Sequence, residues 1–293
     1  MISTVKIHML SESVSPITHM GGTSGNEAIL NRERVLHNGE IVDVPFLSGN
    51  ALRHKMIRDP GARYLVDACA LKGTLNIDQA NFMFTGGSLS QSSTTDNLKM
   101  IATMQEVSPL FRMLGGSLRD QIIGGSLMVS RGILVCEENL LTISKQCSAL
   151  ADTATASAHP AQSFIGKTQY TRGEATRMKE APDMLKGDVP PQKTNLMIYG
   201  GECVIPGSMW YHNLILNNVC DLEIGAALHC LNLWQASGGV VGGSSRIGHG
   251  RLRSTIHIES ENPVDASTLV LSYIEHVNSH TEELVSWLNE AFS

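Results

Sequence analysis

The first ten residues alternate, with Val5, Ile7 and Met9 set against polar partners. A period of two predicts a half-buried strand over Met1–Leu10. Ser11–Asn38 is polar and carries Gly21, Gly22 and Gly25, which predicts a long loop. Ile41–Val44 predicts a short strand, ended by Pro45-Phe46. Ser48-Gly49-Asn50 then opens a short helix over Ala51–Ile57, with Ser48 or Asn50 as its cap and Pro60-Gly61 as its stop. Ala62–Leu75, Asp78–Phe84 and Asn97–Met113 carry helical or mixed spacing, and Gly86–Asp96 is a loop of Gly, Ser and Thr.

Farther on, Ser126–Glu137 alternates well enough for a strand. Ala149–Lys193 is small, polar and charged, with Pro160, Pro182, Pro190 and Pro191, and predicts a protruding or mobile insertion. Strands are expected at Asn195–Tyr199, Glu202–Ile205, Met209–Leu216 and Arg251–Ile258. A helix is expected over Asp221–Trp234, capped by Asp221 and followed by Gly238-Gly239. Asp265–Phe292 reads as one long helix with Leu269, Ile274, Val277, Leu284 and Leu288 on its apolar face. Strands and helices mix without a βαβ rhythm, so the fold class is α+β. Gly-Gly-Ser-Leu occurs at Gly86, Gly115 and Gly124, and the unequal separations exclude a structural repeat.

Composition narrows the function. The 293 residues are 42% hydrophobic, enough for a real core, and only 17% charged, with 27 glycines. A net charge of −6 argues against a generic basic nucleic-acid binder. Any phosphate contact must come from local clusters. Three exist: Arg53, His54, Lys55, Arg58 and Arg63; Lys167, Arg172, Arg177 and Lys179; and Arg246, Arg251 and Arg253. A solvated face accounts for each cluster taken alone. The six cysteines form no C-x-x-C pair and no zinc spacing, which predicts reduced thiols in a cytoplasmic protein. The start of the chain has no basic region followed by an apolar run, and no apolar stretch reaches membrane-spanning length. The histidines make no H-E-x-x-H, and G-x-S-x-G is absent, so no catalytic set, metal site or cofactor is expected.

Two segments could hold an anion. In the first, Gly242, Gly243, Gly248 and Gly250 free the backbone for positive φ, so that N–H groups can converge. Ser244, Ser245, Arg246, His249 and Arg251 add donors and charge. The plain alternative is a glycine hinge. The second is Val44-Pro45-Phe46-Leu47-Ser48-Gly49-Asn50-Ala51-Leu52-Arg53, where a helix N-terminus meets an arginine one turn on. Its plain alternative is an ordinary cap.

These pieces, in this order, resemble the RAMP superfamily of CRISPR effector proteins, and most closely its backbone subunits, which polymerise along a guide RNA. Val44–Arg53 is similar to the family segment that opens its first helix. Leu114-Gly115-Gly116-Ser117 and the strand at Gly125–Val135 are similar to its central motif. Gly242–Leu252 is similar to its glycine-rich loop. The likeness spans residues 1–260. It implies a single domain over 1–293: an RRM-like (ferredoxin-like) palm, a helical finger at 62–113, a β-hairpin thumb at 160–195 and a C-terminal helix at 264–293. It implies RNA contacts from Ser48, Gly49, Asn50, Arg53, His54, Arg58, Gly242, Gly243, Ser244, Ser245, Arg246, Gly248, His249 and Arg251. The thumb would contribute Lys167, Arg172, Arg177, Met178 and Lys179, with Met178 or Met184 as an apolar wedge. Implied partners are a crRNA guide, target DNA or RNA paired with it, copies of the same chain in a filament, and other effector subunits. Aromatics are only 5%, so contact should fall on phosphate and sugar rather than on stacked bases.

One departure bears on activity. RNA-cleaving members place an aspartate after the first strand. Here the loop reads Gly21-Gly22-Thr23-Ser24-Gly25-Asn26-Glu27, and Asn26 cannot act as a general base. The expectation is therefore a non-catalytic subunit, in the direction of type IV systems. His54 departs too, standing where the family often has glycine. The alternatives are a type III-like RNA-cleaving subunit using Glu27 or Asp43, and a small-molecule enzyme binding a phosphorylated ligand.

Overall fold

The computed structural model describes residues 3–89, 98–156, 159–172 and 197–292. Strand β1 (Ser3–Ser13) lies inside a 7-stranded antiparallel sheet. β12 (Met209–Val219) pairs along one side of it and β13 (Leu252–Ser260) along the other. β8 (Leu127–Val129) and β9 (Gly132–Leu134) pair with successive parts of β12. A run of helices that begins at Gly49 lies between β1 and β8 in the chain, and α8 (Asp221–Ala236) joins β12 to β13. The order β13-β1-β12-β8/β9 suits a ferredoxin-like βαββαβ unit, in keeping with the α+β class. Among the described residues, no helix is long and apolar enough to cross a membrane.

The sheet is covered on both faces. Val5, Ile7 and Met9 pack with Leu52, Met56, Leu231 and Trp234 in the main core. On the other face Leu10, Ile133 and Tyr211 join Ile143, Cys147, Leu150 and Ala154, which come from α6 (Leu140–Gln146), α7 (Ala151–Ala156) and the turns between them. β1 is therefore buried on both sides, not half-buried. The protruding insertion expected from Ala149 onward is corrected by the same contacts. Its first part, together with the buried Ala161 and Phe164, belongs to the core.

The long loop expected over Ser11–Asn38 instead holds β2 (Met20–Ser24), β3 (Glu27–Leu30) and β4 (Arg32–His37). β4 returns as β5 (Glu40–Leu47) through Asn38 and Gly39, at φ 51° and 84°. That pair with positive φ is the favoured two-residue hairpin turn. β2 and β3 complete a second sheet, of order β10-β11-β3-β2, with β10 (Ile165–Arg172) and β11 (Met197–Val204). β11 runs unbroken through Gly200-Gly201, where a gap was expected, because β10 and β3 pair with it there. The strand expected over Ser126–Glu137 is instead two, β8 and β9, parted at Ser130-Arg131. Ser130 exchanges hydrogen bonds with Asn213 there, at 2.9 Å (backbone) and 2.8 Å (its Oγ accepting).

Three helix boundaries also differ. α1 (Gly49–Arg53) continues through one π turn, His54–Arg58, into α2 (Asp59–Ala68). The Asp59 N–H reaches back to the His54 carbonyl, and this wider turn absorbs the donor that Pro60 lacks. Gly61 is a packing contact rather than a stop, since a Cβ there would meet Leu110 and Cys230 at 2.8 and 2.9 Å. Cys220, not Asp221, caps α8, with the Glu223 carboxylate accepting from its N–H at 2.9 Å. The C-terminal helix breaks at His280 into α9 (Ala266–Ser279) and α10 (Thr281–Ala291). Ser279 Oγ and His280 Nδ1 both bond the His276 carbonyl, so side chains compete with the helical ladder there. The helices of the 62–113 region, α3 (Ile77–Thr85), α4 (Leu98–Val107) and α5 (Pro109–Leu114), pack into the same core through Phe82, Met104 and Phe111.

Candidate nucleic-acid interface

Between α8 and β13 the glycine-rich loop forms a short 3-10 turn, Ser245–Ile247, flanked by Ser244 at φ 58° and Gly248 at φ 92°. Most of its amides are taken up by hydrogen bonds within the protein. The N–H of Gly243 goes to Thr18 at 2.7 Å and that of Gly250 to Pro16 at 2.8 Å. Those of Ile247, Gly248 and His249 close turns within the loop, and that of Arg251 reaches Ser15 Oγ. Six of the loop's N–H groups are thus taken up within the protein, and several of its side chains face outward. Ser245, Arg246 and Arg251 are exposed, and Ser244 and His249 are half-buried. Among the described residues no carboxylate pairs with Arg246, Arg251 or Arg253, whereas Arg32, Arg34, Arg63, Arg112 and Arg131 all have acidic partners. In a chain of net charge −6, three arginines without an acidic partner among the described residues lie in or next to this loop.

The second motif starts α1. Ser48 is its cap, with Oγ accepting from the Ala51 N–H at 3.3 Å. Gly49 is required by close approach, because a Cβ would lie 2.6 Å from the Val129 carbonyl. Ser48, Gly49, Asn50, Arg53, Met128 and Arg131 line an open cavity of about 610 Å³. Arg53 donates from one terminal nitrogen to the Leu114 carbonyl, while its buried Nε has no partner. Burial lowers its pKa. Arg53 also lines the cavity, and its guanidinium charge suits an anionic acceptor there. Arg131 is neutralised by Glu33 at 2.6 Å, and burial holds the Glu33 carboxyl above its usual range, against the pull of Arg131.

The two motifs lie two hundred residues apart in the chain, and one stretch, Ser15–His19, joins them. Ser15, Pro16 and Thr18 bond the glycine loop, and the Thr18 hydroxyl donates to the Gly243 carbonyl at 2.9 Å. The next residue, His19, accepts the Ser48 N–H at Nε2, at 3.2 Å. That bond puts the ring proton on Nδ1 and requires a neutral ring. Burial lowers the His19 pKa in the same direction. His19 and Thr18 were not legible as site residues, since nothing in a polar loop sequence marks a backbone partner. Arg131 and Met128 were hidden inside an ordinary strand pattern.

The Gly-Gly-Ser-Leu tetrads meet in space. The Ser117 N–H donates to the Gly86 carbonyl at 2.7 Å. A Cβ on Gly87 would strike the Ser117 carbonyl, one on Gly115 the Ile123 carbonyl, and one on Gly125 the Met113 carbonyl. Arg58 reaches into this glycine junction. It is 6% exposed and donates to the carbonyls of Phe82 at 3.2 Å and Gly115 at 3.1 Å. Burial, with Arg53 nearby, brings its pKa down to about 10. The expectation that Arg58 contacts RNA is therefore corrected: both terminal nitrogens are used inside the fold. His54, one turn before it, is half-buried on the π turn.

The 160–195 hairpin is described at its base only. β10 and β11 pair from Ile165 with Val204 to Arg172 with Met197. Lys167 there is exposed and bridges to Glu27 at 3.1 Å. Arg177, Met178, Lys179 and Met184 lie outside the described residues, as does the side chain of Arg172. Glu27 and Asp43, the carboxylates of the RNA-cleaving alternative, sit in exposed ion pairs with Lys167 and Arg34 on separate hairpins. Among the described residues no three His, Cys, Asp or Glu side chains are placed to hold a metal ion.

No family model and no curated protein matches the chain. Among solved structures, a chain of a "Type IV-B CRISPR Complex" superposes with a TM-score of 0.55 at 14% identity, covering 89% of this chain and 96% of that one. At that identity the likeness is one of fold, and the fold shared is that of a CRISPR-complex chain, as the ordered motifs implied.

Proposed function

We propose that this protein is a non-catalytic backbone subunit of a CRISPR ribonucleoprotein. It oligomerises along a guide RNA, grips the phosphate backbone and leaves the bases for pairing with target nucleic acid. The observation that carries the reading is the stitching of Ser48–Arg53 and the Gly242–Arg251 loop onto Ser15–His19, with Arg246 and Arg251 unpaired beside them. Cationic groups at two joined motifs suit a chain of phosphates better than a single bound ligand. The covered second sheet face supports the same reading. Tyr211 is fully buried there, so that face offers no aromatic platform for bases. In this reading the helices at 62–113 act as the finger and the hairpin at 160–195 as the thumb. The placement of Glu27 and Asp43 in separate ion pairs favours a holding role over cutting.

The test is co-expression with a guide RNA. Purified protein should carry RNA and form large assemblies. Arg246→Ala with Arg251→Ala should weaken binding for all sequences alike. Losing two single-strand phosphate contacts should also flatten the slope of log K against log salt by about 1.4. A protein that stays RNA-free when co-expressed, or a double variant whose loss depends on sequence, would overturn the proposal.

A further inference from the structure

We infer that Met128 divides one groove into two subsites, a phosphate subsite and a nucleoside subsite, and that a base of the bound RNA lies against its thioether. The inference rests on the RNA-binding reading above and deepens it by naming which part of a nucleotide each wall takes. The cavity of about 610 Å³ beside Arg53 has a neighbour of about 390 Å³, lined by Gln105, Arg112, Gly124, Asn217, Asn218 and Glu223. Met128 lines both. It is 52% exposed, on a strand whose neighbours Leu127 and Val129 turn inward.

The two walls differ in chemistry. On the first, Arg53 brings a guanidinium charge that has no carboxylate partner among the described residues. That suits a phosphate oxygen. On the second, the charges cancel. The Glu223 carboxylate is buried and taken up by Ser126 Oγ at 3.0 Å, the Cys220 N–H at 2.9 Å and Arg112 at 3.6 Å. What remains is amide: the side chains of Gln105, Asn217 and Asn218 have no hydrogen-bond partner among the described residues, and each offers both donors and an acceptor. Neutral groups that donate and accept at one place match base edges and ribose hydroxyls, not phosphate. Between a phosphate wall and an amide wall, a bare methionine presents a polarisable, apolar surface to the face of a base. This places the apolar divider on the palm, on an ordered strand, apart from Met178 and Met184.

The experiment uses the full chain and single-stranded RNA carrying one 2-aminopurine, moved through the sequence position by position. Wild type should brighten at one register, where the base leaves its neighbours for Met128. Met128→Ala should remove that signal and weaken binding about fivefold, with the salt slope unchanged, because no charge is lost. Asn217→Ala should weaken binding with the same unchanged slope. The exposure of Met128 predicts a melting temperature equal to wild type for Met128→Ala. If wild type binds RNA but Met128→Ala keeps both signal and affinity, the divider is refuted and the RNA reading stands. If Met128→Ala lowers the salt slope, the groove holds phosphate on both sides and the inference also fails. If wild type binds no RNA, the reading beneath it falls first.

Discussion

Arg58→Met separates a structural arginine from an RNA-binding one. In the fold, the guanidinium gives two charge-assisted hydrogen bonds to buried carbonyls, Phe82 and Gly115. Such bonds contribute about 1.5–3 kcal/mol each, so about 3–6 kcal/mol together. Against this stands the cost of burying the charge. A pKa brought down from 12.5 to about 10 corresponds to roughly 3 kcal/mol. Methionine refunds that cost and fills much of the stem volume, but leaves two carbonyls unsatisfied at about 1–3 kcal/mol each. Taken together these contributions leave a net loss of about 2–9 kcal/mol; at roughly 1.6 °C per kcal/mol for a chain of this size, Tm should fall by at least about 3 °C. Differential scanning calorimetry measures it. RNA loading, assayed well below the lowered Tm, should match wild type. A variant with wild-type stability and lost RNA would place Arg58 on the RNA surface and refute the argument.

Three further outcomes are expected. Ser48→Ala removes the α1 cap and should cost about 1 kcal/mol by chemical denaturation, with Ser48→Gly costing less. Gly248→Ala, at φ 92° in open space, should cost about 1 kcal/mol, whereas Gly250→Ala, at φ 82° with the Val241 carbonyl in the way, should cost at least twice that in the same titration. His212 is wholly buried, neither ring nitrogen has a hydrogen-bond partner among the described residues, and burial pushes its pKa down to about 4. Between pH 6.5 and 4 the unfolded chain therefore binds more protons than the folded one. Stability should be full above pH 6.5 and fall by roughly 3 kcal/mol as pH drops to 4, and His212→Leu should flatten that dependence in pH-resolved melts.

What was legible followed from local pattern. Strands β1, β12 and β13, the cap at Ser48 and helix α8 follow from alternation, capping chemistry and helical spacing within a dozen residues. The misreadings have a common cause. Gly21 and Gly22 read as loop because glycine disfavours strands, yet pairing with β3 overrode that preference, while Gly25, at φ 59°, does form the turn between β2 and β3. The Asn38-Gly39 turn was a readable hairpin signal that the polarity of its surroundings masked. Pro60 read as a stop because a π turn is a tertiary accommodation, invisible in spacing. Within the site, the two motifs were legible, but their union was not. It depends on backbone atoms of Ser15–His19, which carry no signature in residue type. Arg58 was read with its basic neighbours Arg53, His54, Lys55 and Arg63, and the carbonyls of Phe82 and Gly115 that take up its guanidinium are remote in sequence.

The glycine junction makes an evolutionary prediction of its own kind. Gly87, Gly115 and Gly125 each face another segment's backbone carbonyl, so none has a side chain or rotamer with which to accommodate a change in its neighbour. Segments that touch through main chain alone cannot compensate for one another by ordinary substitution. In a pairwise mutational scan these three short stretches, far apart in sequence, should behave as one locus. A second lesion should add little to the first, and suppressors should arise as backbone insertions or deletions in the connecting loops rather than as point changes.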